Sequence, residues 1–368
     1  MKKLAFGLMR LPIIDGDNTK IDKAKVKEMV DYFIAHGFSY FDTAYVYHGG
    51  NSEKVFGELV ASRYPRDKFT ITNKIPMFSP KTPDDYERIF NEQLERCQVS
   101  YFDWYFLHAL NINSYKNWVM PEHAFDFILK KKAEGKIKHI GFSFHDSAEV
   151  LDLILSEHPE VELVQLQINY MDYDSESIQS KKCYDVCRKH GKPLTIMEPL
   201  KGGKLINIPE AAQDIFKSAH PDLSIASWGI RYAASFDGVL AVLSGMSNME
   251  QVIDNTSYME NFEPITELEN EKIAEVVQII KSSIAIACTG CRYCVDGCPM
   301  KIAIPEYFSL LNDEKQYGKN DYRKYRYTQI AKDKGLASSC IECGQCEGIC
   351  PQHLPIIETL KKVKQSFE

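Results

Sequence analysis

The sequence lacks any apolar run near the ~18 to 20 residues that a membrane-spanning helix requires, so no such span is expected. It also lacks an excess of basic charge: 44 lysines and arginines face 51 aspartates and glutamates, a net charge of −7. That balance argues against general affinity for nucleic acid or an anionic membrane surface. No G-x-G-x-x-G follows any strand-like segment, so the fingerprint of a doubly wound dinucleotide-binding sheet is missing. The opening MKKLAFGLMRLP has a basic start, but Arg10 and Pro12 cut its apolar stretch short of a signal peptide. The expectation is a soluble, cytoplasmic protein.

With 368 residues, 44% of them hydrophobic, there is material for one large domain and one small one. Short apolar runs recur at LAFGLM (4–9), YFDTA (40–44), FTITNK (69–74), WYFLHA (104–109), HIGFSF (139–144), LVQLQI (163–168), LTIMEP (194–199) and VLAVLSG (239–245). Amphipathic stretches lie between them, such as DKAKVKEMVDYFIAHG, ended by Gly37, and EHAFDFILKKKAEG, ended by Gly135. Strand–helix alternation implies a parallel sheet, because parallel neighbours need a crossover. Eight such strands match an α/β fold of the closed (β/α)8 TIM-barrel type better than an open doubly wound sheet, the alternative. The expected barrel spans residues 1–282.

Composition changes near 283, and residues 283–368 form the expected second domain. They hold eight of the eleven cysteines, in CTGCRYCVDGCP (288–299) and CIECGQCEGICP (340–351). Each copy reads C-x2-C-x2-C-x3-C-P, the bacterial ferredoxin spacing, in which the fourth cysteine ligates the other cluster. One 4Fe-4S cluster then takes Cys288, Cys291, Cys294 and Cys350. The other takes Cys340, Cys343, Cys346 and Cys298. Structural zinc also uses paired C-x2-C, but as two separated pairs rather than three evenly spaced thiolates plus a distant fourth, duplicated. This part resembles a two-cluster, bacterial-type ferredoxin domain. Thiolate ligands and oxygen-labile clusters point to a reducing cytoplasm and an anaerobe. Between the motifs, NDEKQYGKNDYRKYRYTQIAKDKG reads as a solvated helix and loop, with a docking face for an acidic redox partner as the alternative. Cys183 and Cys187, one helical turn apart, read as buried or incidental thiols rather than a metal pair.

Four polar residues fall at or just beyond strand ends: Asp42, Tyr47, Lys74 and His108. In a barrel, the C-terminal strand ends form the reaction face. Together they suit carbonyl reduction, where carbon takes hydride and oxygen needs a proton. A tyrosine hydroxyl, with an ordinary pKa near ~10, is a poor shuttle until an adjacent lysine stabilises the phenolate. Asp42 supplies the counter-charge that a buried lysine needs. Neutral His108 can donate a hydrogen bond to the substrate oxygen. Singly, each residue also fits a helix cap, a snorkelling lysine or a packing histidine.

The segments GFSYFDTAYVYHGGNSEKVFGELV (37–60), TITNKI (70–75), YFDWYFLHA (101–109), KIKHIGFSFH (136–145), LVQLQINY (163–170), IMEPLKGGKL (196–205) and VLSGMSNMEQVIDN (242–255) resemble the aldo-keto reductases, in order. The resemblance implies an eight-stranded barrel, nicotinamide-dependent carbonyl reduction and the tetrad Asp42, Tyr47, Lys74 and His108. It places Ser143 and Gln167 at the carboxamide, Met197 where a tyrosine usually stacks on nicotinamide, and Asn255 at adenine. Phe144 replaces the usual asparagine. Gly245 and Gln251 replace the cations that commonly meet the 2′-phosphate, so the choice between NADPH and NADH stays open.

Three readings follow. The first is an iron–sulfur oxidoreductase acting on a small-molecule carbonyl or alcohol, with electrons passing through two 4Fe-4S clusters to or from a redox partner protein. Because clusters move one electron and hydride moves two, a flavin is the usual bridge, though no motif demands one. The second is an NAD(P)H carbonyl reductase whose clusters are structural or oxygen-sensing. The third is a non-enzymatic electron carrier or partner-binding protein.

Overall fold

The structure, a computed structural model, describes residues 2–77, 82–121, 123–176, 178–282, 285–286, 288, 290, 292–350 and 352–368. The chain divides into two compact units: residues 1–202 with 222–270, and residues 203–221 with 271–368.

In the first unit the eight expected strands close into a barrel. In chain order the strands are β1 (Leu4–Gly7), β2 (Ile13–Ile14), β3 (Asp17–Ile21), β4 (Tyr40–Asp42), β5 (Thr70–Pro76), β6 (Phe102–Leu110), β7 (Ile137–Phe144), β8 (Leu163–Gln167), β9 (Leu194–Met197) and β10 (Val239–Ser244). The barrel order is β1-β10-β9-β8-β7-β6-β5-β4, with β4 returning to β1. Its pairings are parallel throughout. Strands β2 and β3 form a separate antiparallel hairpin, which the alternation of long elements does not announce. Both anticipated helix stops hold. The helix Lys23–Ala35 ends before Gly37 (φ +76°), and Ala124–Ala133 ends before Gly135 (φ +72°). Glycine takes this left-handed backbone without the Cβ clash other residues meet.

The strand period of two sorts the side chains. Phe6, Phe41, Ile71 and Tyr105 belong to the apolar layer between strands and helices, with Phe33 of the first helix at 5.3 Å from Phe6. The alternate residues Ala5, Tyr40, Ala241 and Leu243, joined by Trp104 and Met197, form a separate small cluster, the barrel interior. Asp42 shares parity with Tyr40, Lys74 with Thr72, and His108 with Trp104. The pleat therefore carries all three into the barrel mouth. Gly141 is required here: a Cβ would lie 2.4 Å from Leu163 O and 2.7 Å from the Phe106 ring.

The second unit is helical. Helices Ile304–Tyr317, Asp321–Ala331 and Ile356–Phe367 bury Ile304, Tyr307, Phe308, Tyr327, Leu360 and Val363 in a core that also contains Cys294, Cys346 and Cys350. The tyrosine-rich stretch is thus less solvated than its composition suggests. Tyr317, Arg323 and Tyr327 are buried, while Tyr322 and Tyr325 stay exposed. The tyrosine hydroxyl of Tyr327 accepts from Ala337 N at 2.8 Å, which is how the end of that stretch is tied down.

Candidate active site and metal centres

Asp42 closes β4, Lys74 lies two residues before the end of β5, and His108 two before the end of β6. Tyr47 opens the short turn Tyr47–Gly50 that follows β4. Lys74 is fully buried, and its ammonium donates to Asp42 Oδ1 at 2.5 Å and to Thr43 O at 2.8 Å. The same Nζ lies 5.2 Å from the Tyr47 ring centre, and Tyr47 stands edge-on to His108 at 5.9 Å. The four expected residues therefore come together.

The electrostatics refine one expectation. Burial works against the Lys74 charge, but Asp42 and Tyr47 outweigh it and hold the ammonium above its ordinary value. Tyr47 was expected to be lowered by Lys74. Lys74 does pull in that direction, but burial is larger, and the hydroxyl ends above its ordinary value. Tyr47 is therefore a neutral phenol with its proton in place. Burial first, then Lys74 and His145, push His108 down to about 3, so its ring is neutral above that pH.

The interior register continues through the residues assigned to a nicotinamide. Ser143 is the register partner of Gln165, and Gln167 of Met197. Ser143 Oγ accepts from Ala109 N at 2.7 Å, pinning a residue held at φ +57° just after His108. Gln167 donates to Asp172 at 3.3 Å, and Met197 is half-buried at the barrel interior. Asn255 donates to Ser244 Oγ at 2.7 Å and accepts from Tyr258 at 2.6 Å. Phe144 is buried in the apolar layer.

Three residues escaped the sequence reading. Gln165, two residues before Gln167 on the same face, donates to Asp42 Oδ2 at 3.2 Å and fixes the second carboxylate oxygen. Glu198, at φ +56° directly after β9, is close enough for its charge to bear on Tyr47. Arg10 lies across Gly245, where a Cβ would meet its side chain at 2.9 to 3.2 Å. Its Nη2 is 3.3 Å from the place a Gly202 Cβ would take. A guanidinium from the segment after β1 thus reaches the rim where Gly245 and Gln251 left no cation. The signal was its place just past the first strand's end. His48, by contrast, is committed to packing: one ring nitrogen faces Asn18 O at 2.7 Å and the other accepts from Leu11 N at 3.3 Å.

In the second unit, Cys298, Cys340, Cys343 and Cys346 line one small cavity together with Met300, Ile302 and Ile341. Cys288, Cys294 and Cys350 line another, with Ile304, Phe308 and Ile356. Cys291 and Pro351 lie outside the described residues. Each cavity draws a cysteine from the opposite motif, the crossed arrangement expected from the spacing. No group of three or more described His, Cys, Asp or Glu side chains is arranged to hold a single ion; here the cysteines stand around a volume instead.

The twin motifs also share a backbone. Gly290 and Glu342 (φ +70° and +56°), Arg292 and Gly344 (+67° and +74°), and Lys301 and His353 (+54° and +48°) occupy equivalent places in the two copies. Four of these six are not glycine, so the left-handed turns are held against a cost of about 1 kcal/mol or more each. Such turns point successive N–H groups one way, as an anionic thiolate-bound cluster needs. The donor chemistry and the apolar linings fit 4Fe-4S clusters.

A closed parallel barrel with a buried Lys–Asp–Tyr constellation at its mouth, in one chain with a cysteine-lined unit, defines a barrel oxidoreductase with an iron–sulfur module. Residues 3–278 match the aldo/keto reductase family, and the chain belongs to it. Residues 287–354 match the 4Fe-4S dicluster domain. The chain is 28% identical over 235 residues to a probable aldo-keto reductase 1 of Glycine max, covering 60% of this chain and 63% of that protein. It therefore spans less than two thirds of that relative. It is 24% identical over 265 residues to L-galactose dehydrogenase of Arabidopsis thaliana, covering 67% of this chain and 81% of that one. An aldo-keto reductase from Klebsiella pneumoniae, solved in complex with NADPH, has the same fold. Its TM-score is 0.61 at 18% identity, over 75% of this chain and 90% of that one. Among the described residues no helix is long and apolar enough to cross a membrane.

Proposed function

We propose that this protein interconverts a small-molecule carbonyl and its alcohol by hydride transfer, with Tyr47 as proton donor, coupled to electron transfer through two 4Fe-4S clusters. The observation that carries this reading is the fully buried Lys74 ammonium, paired with Asp42 at 2.5 Å and set against Tyr47. A bound nicotinamide supplies hydride, and a 4Fe-4S cluster carries single electrons.

The remaining work falls to the chain. His108, neutral at working pH, orients the substrate oxygen by a hydrogen bond. Tyr47 gives its proton to that oxygen as negative charge develops there, and the Lys74 ammonium stabilises the phenolate left behind. Asp42, fixed by Gln165, keeps Lys74 charged. Ser143, Gln167 and Met197 would hold the nicotinamide end, and Asn255 with Arg10 the adenosine end. Cys288, Cys291, Cys294 and Cys350 would hold one cluster, and Cys340, Cys343, Cys346 and Cys298 the other. In this reading residues 1–282 carry the hydride chemistry and 283–368 the electron transfer, in a reducing cytoplasm.

The test is anaerobic purification followed by absorbance and EPR spectra with NADH, NADPH or dithionite added. Cluster reduction by NADH or NADPH, reversed by added carbonyl, supports the coupling. Carbonyl turnover that survives cluster loss makes the clusters accessory. A protein that binds neither dinucleotide and reduces no carbonyl refutes the proposal. The accessory reading has one observation of its own, that Cys294, Cys346 and Cys350 sit inside the second unit's apolar core.

A further inference from the structure

The two cysteine cavities differ in what surrounds them. Among the described residues lining the cavity of Cys288, Cys294 and Cys350, the exposed ones are the polar Arg292 and Gln352, Cys288 and Leu354 are half-buried, and no large apolar side chain is exposed. The other cavity is bordered by Ile341, 60% exposed, and Met300, 37% exposed, and its Cys343 is itself exposed. Leu336, 41% exposed, joins them because the chain at 300–302 runs beside 334–336. Ile302 bridges Gly335, and Gly335 N donates to Lys301 O at 3.1 Å. Met300 and Ile341 thus put exposed apolar surface at the edge of one cluster site, with Leu336 next to the chain segment that pairs with it. Single scattered apolar residues need no explanation, but a contiguous group at a redox centre does.

The same strand-like contact sets the charge. Lys301, Lys332 and Lys334 are exposed around the patch, with Asp333 among them, and nearby Glu342 and Glu358 share Lys361 at 3.2 and 2.9 Å. This basic rim belongs to a chain whose net charge is −7. An acidic partner is repelled by the protein at large and attracted at this rim, which orients its approach.

We propose that the site of Cys298, Cys340, Cys343 and Cys346 is the external electron-exchange point, and that this face docks a small, acidic, one-electron carrier protein. Met300, Leu336 and Ile341 form the dry centre of the contact, and Lys301, Lys332 and Lys334 its steering rim. One electron passes from the reduced carrier to the cluster. The carrier is oxidised by one electron, the cluster is reduced by one, and no bond forms or breaks. The proposal rests on the reading that the clusters are redox-active.

The experiment uses the full-length holoprotein under anaerobic conditions and a reduced, strongly acidic ferredoxin as the probe. Stopped-flow absorbance follows carrier oxidation, and EPR counts the reduced clusters. The wild-type rate should fall about tenfold or more as salt rises from low to physiological strength. Lys332→Glu with Lys334→Glu should lower the low-salt rate by a similar factor and flatten its salt dependence. Leu336→Ser, outside the cavity lining, should slow exchange at every salt concentration. Iron content and reduction by dithionite should stay unchanged in all variants, which separates a docking defect from a lost cluster. A charge-reversed variant that exchanges electrons as fast as wild type overturns the docking face and leaves redox-active clusters standing. Clusters that dithionite reduces but the acidic carrier does not also overturn it. Clusters that no donor reduces sink the underlying reading as well. If Leu336→Ser instead converts a dimer to a monomer in size-exclusion chromatography, the patch is an interface between copies, and the proposal fails.

Discussion

Replacing Lys74 by methionine tests whether the Lys74–Asp42 pair is what keeps the barrel mouth both folded and reactive. Unit charges 2.5 Å apart attract by roughly 7 kcal/mol at an effective dielectric of ~20. Most of that offsets the desolvation of two buried ions, so the pair's net worth is small. Removing one partner is different. Lys74→Met leaves the buried Asp42 with Gln165 at 3.2 Å as its side-chain donor. Breaking a buried pair in this way costs about 3 to 5 kcal/mol. Asp42→Asn should cost a similar amount, because it strands the ammonium. The double variant Asp42→Asn/Lys74→Met holds no buried charge and should lose only about 1 to 2 kcal/mol.

Urea unfolding of the four proteins, followed by near-ultraviolet circular dichroism, closes the cycle. The expected coupling is about 4 kcal/mol or more, far outside the ~0.5 kcal/mol within which independent sites add. The sign of the pH dependence is a second check. Burial already pushes Asp42 up, against Lys74. Without Lys74, the carboxyl protonates more readily folded than unfolded, so its contribution is favourable at low pH and is lost as pH rises. The Lys74→Met deficit should therefore shrink toward pH 5 and grow toward pH 8. Carbonyl reduction should fall by about 10² to 10⁴-fold in both Lys74 variants, since the double variant restores packing but not the cation beside Tyr47. Additive stabilities, or a double variant with near-wild-type turnover, would refute the reasoning.

Other outcomes follow from the same site. With His108 pushed down to about 3 and Tyr47 raised above its ordinary value, kcat/KM for carbonyl reduction should show no inflection between pH 6 and 8. Its alkaline limb should lie above about pH 10, where an unshifted tyrosine would titrate; a limb near pH 7 contradicts the assignment of Tyr47. Arg10→Ala should weaken NADPH or NADH binding by roughly tenfold, as loss of a guanidinium–phosphate contact does; unchanged affinity in fluorescence titration removes Arg10 from the cofactor site. Cys350→Ala should cost the cluster of Cys288, Cys291 and Cys294 its fourth ligand. EPR of the reduced protein should then show that cluster altered or lost and the other kept. Loss of the signal from the Cys340 motif instead would reverse the crossed assignment.

The barrel was legible because its signals are periodic. Eight apolar runs with helical stretches between them leave few topologies, and all eight strands form. The hairpin Ile13–Ile21 was not legible, since its strands are short and mostly exposed and carry no alternating burial pattern. The tetrad was legible because Asp42, Lys74 and His108 share the parity of Tyr40, Thr72 and Trp104, which the pleat sends inward. The direction of the Tyr47 shift was not. It depends on how much protein surrounds the hydroxyl, a three-dimensional quantity, whereas the lysine beside it could be anticipated from its strand.

Arg10 shows a different limit. Reading Gly245 and Gln251 position by position reported a lost phosphate site, because cations were sought only where relatives keep them. In the folded barrel β1 and β10 are register neighbours, Phe6 beside Ser244, so the residues just past both strand ends meet on one rim. A glycine at 245 is then the space that Arg10 occupies. The same logic governs the cysteine motifs. More than forty residues separate Cys298 from the cavity-mates Cys340, Cys343 and Cys346, yet the repeated left-handed turns give both copies one backbone, so each can lend its fourth cysteine to the other. Function in this chain is set by which ends meet, and a substitution at Arg10 or Cys350 should be felt at a partner far away in sequence.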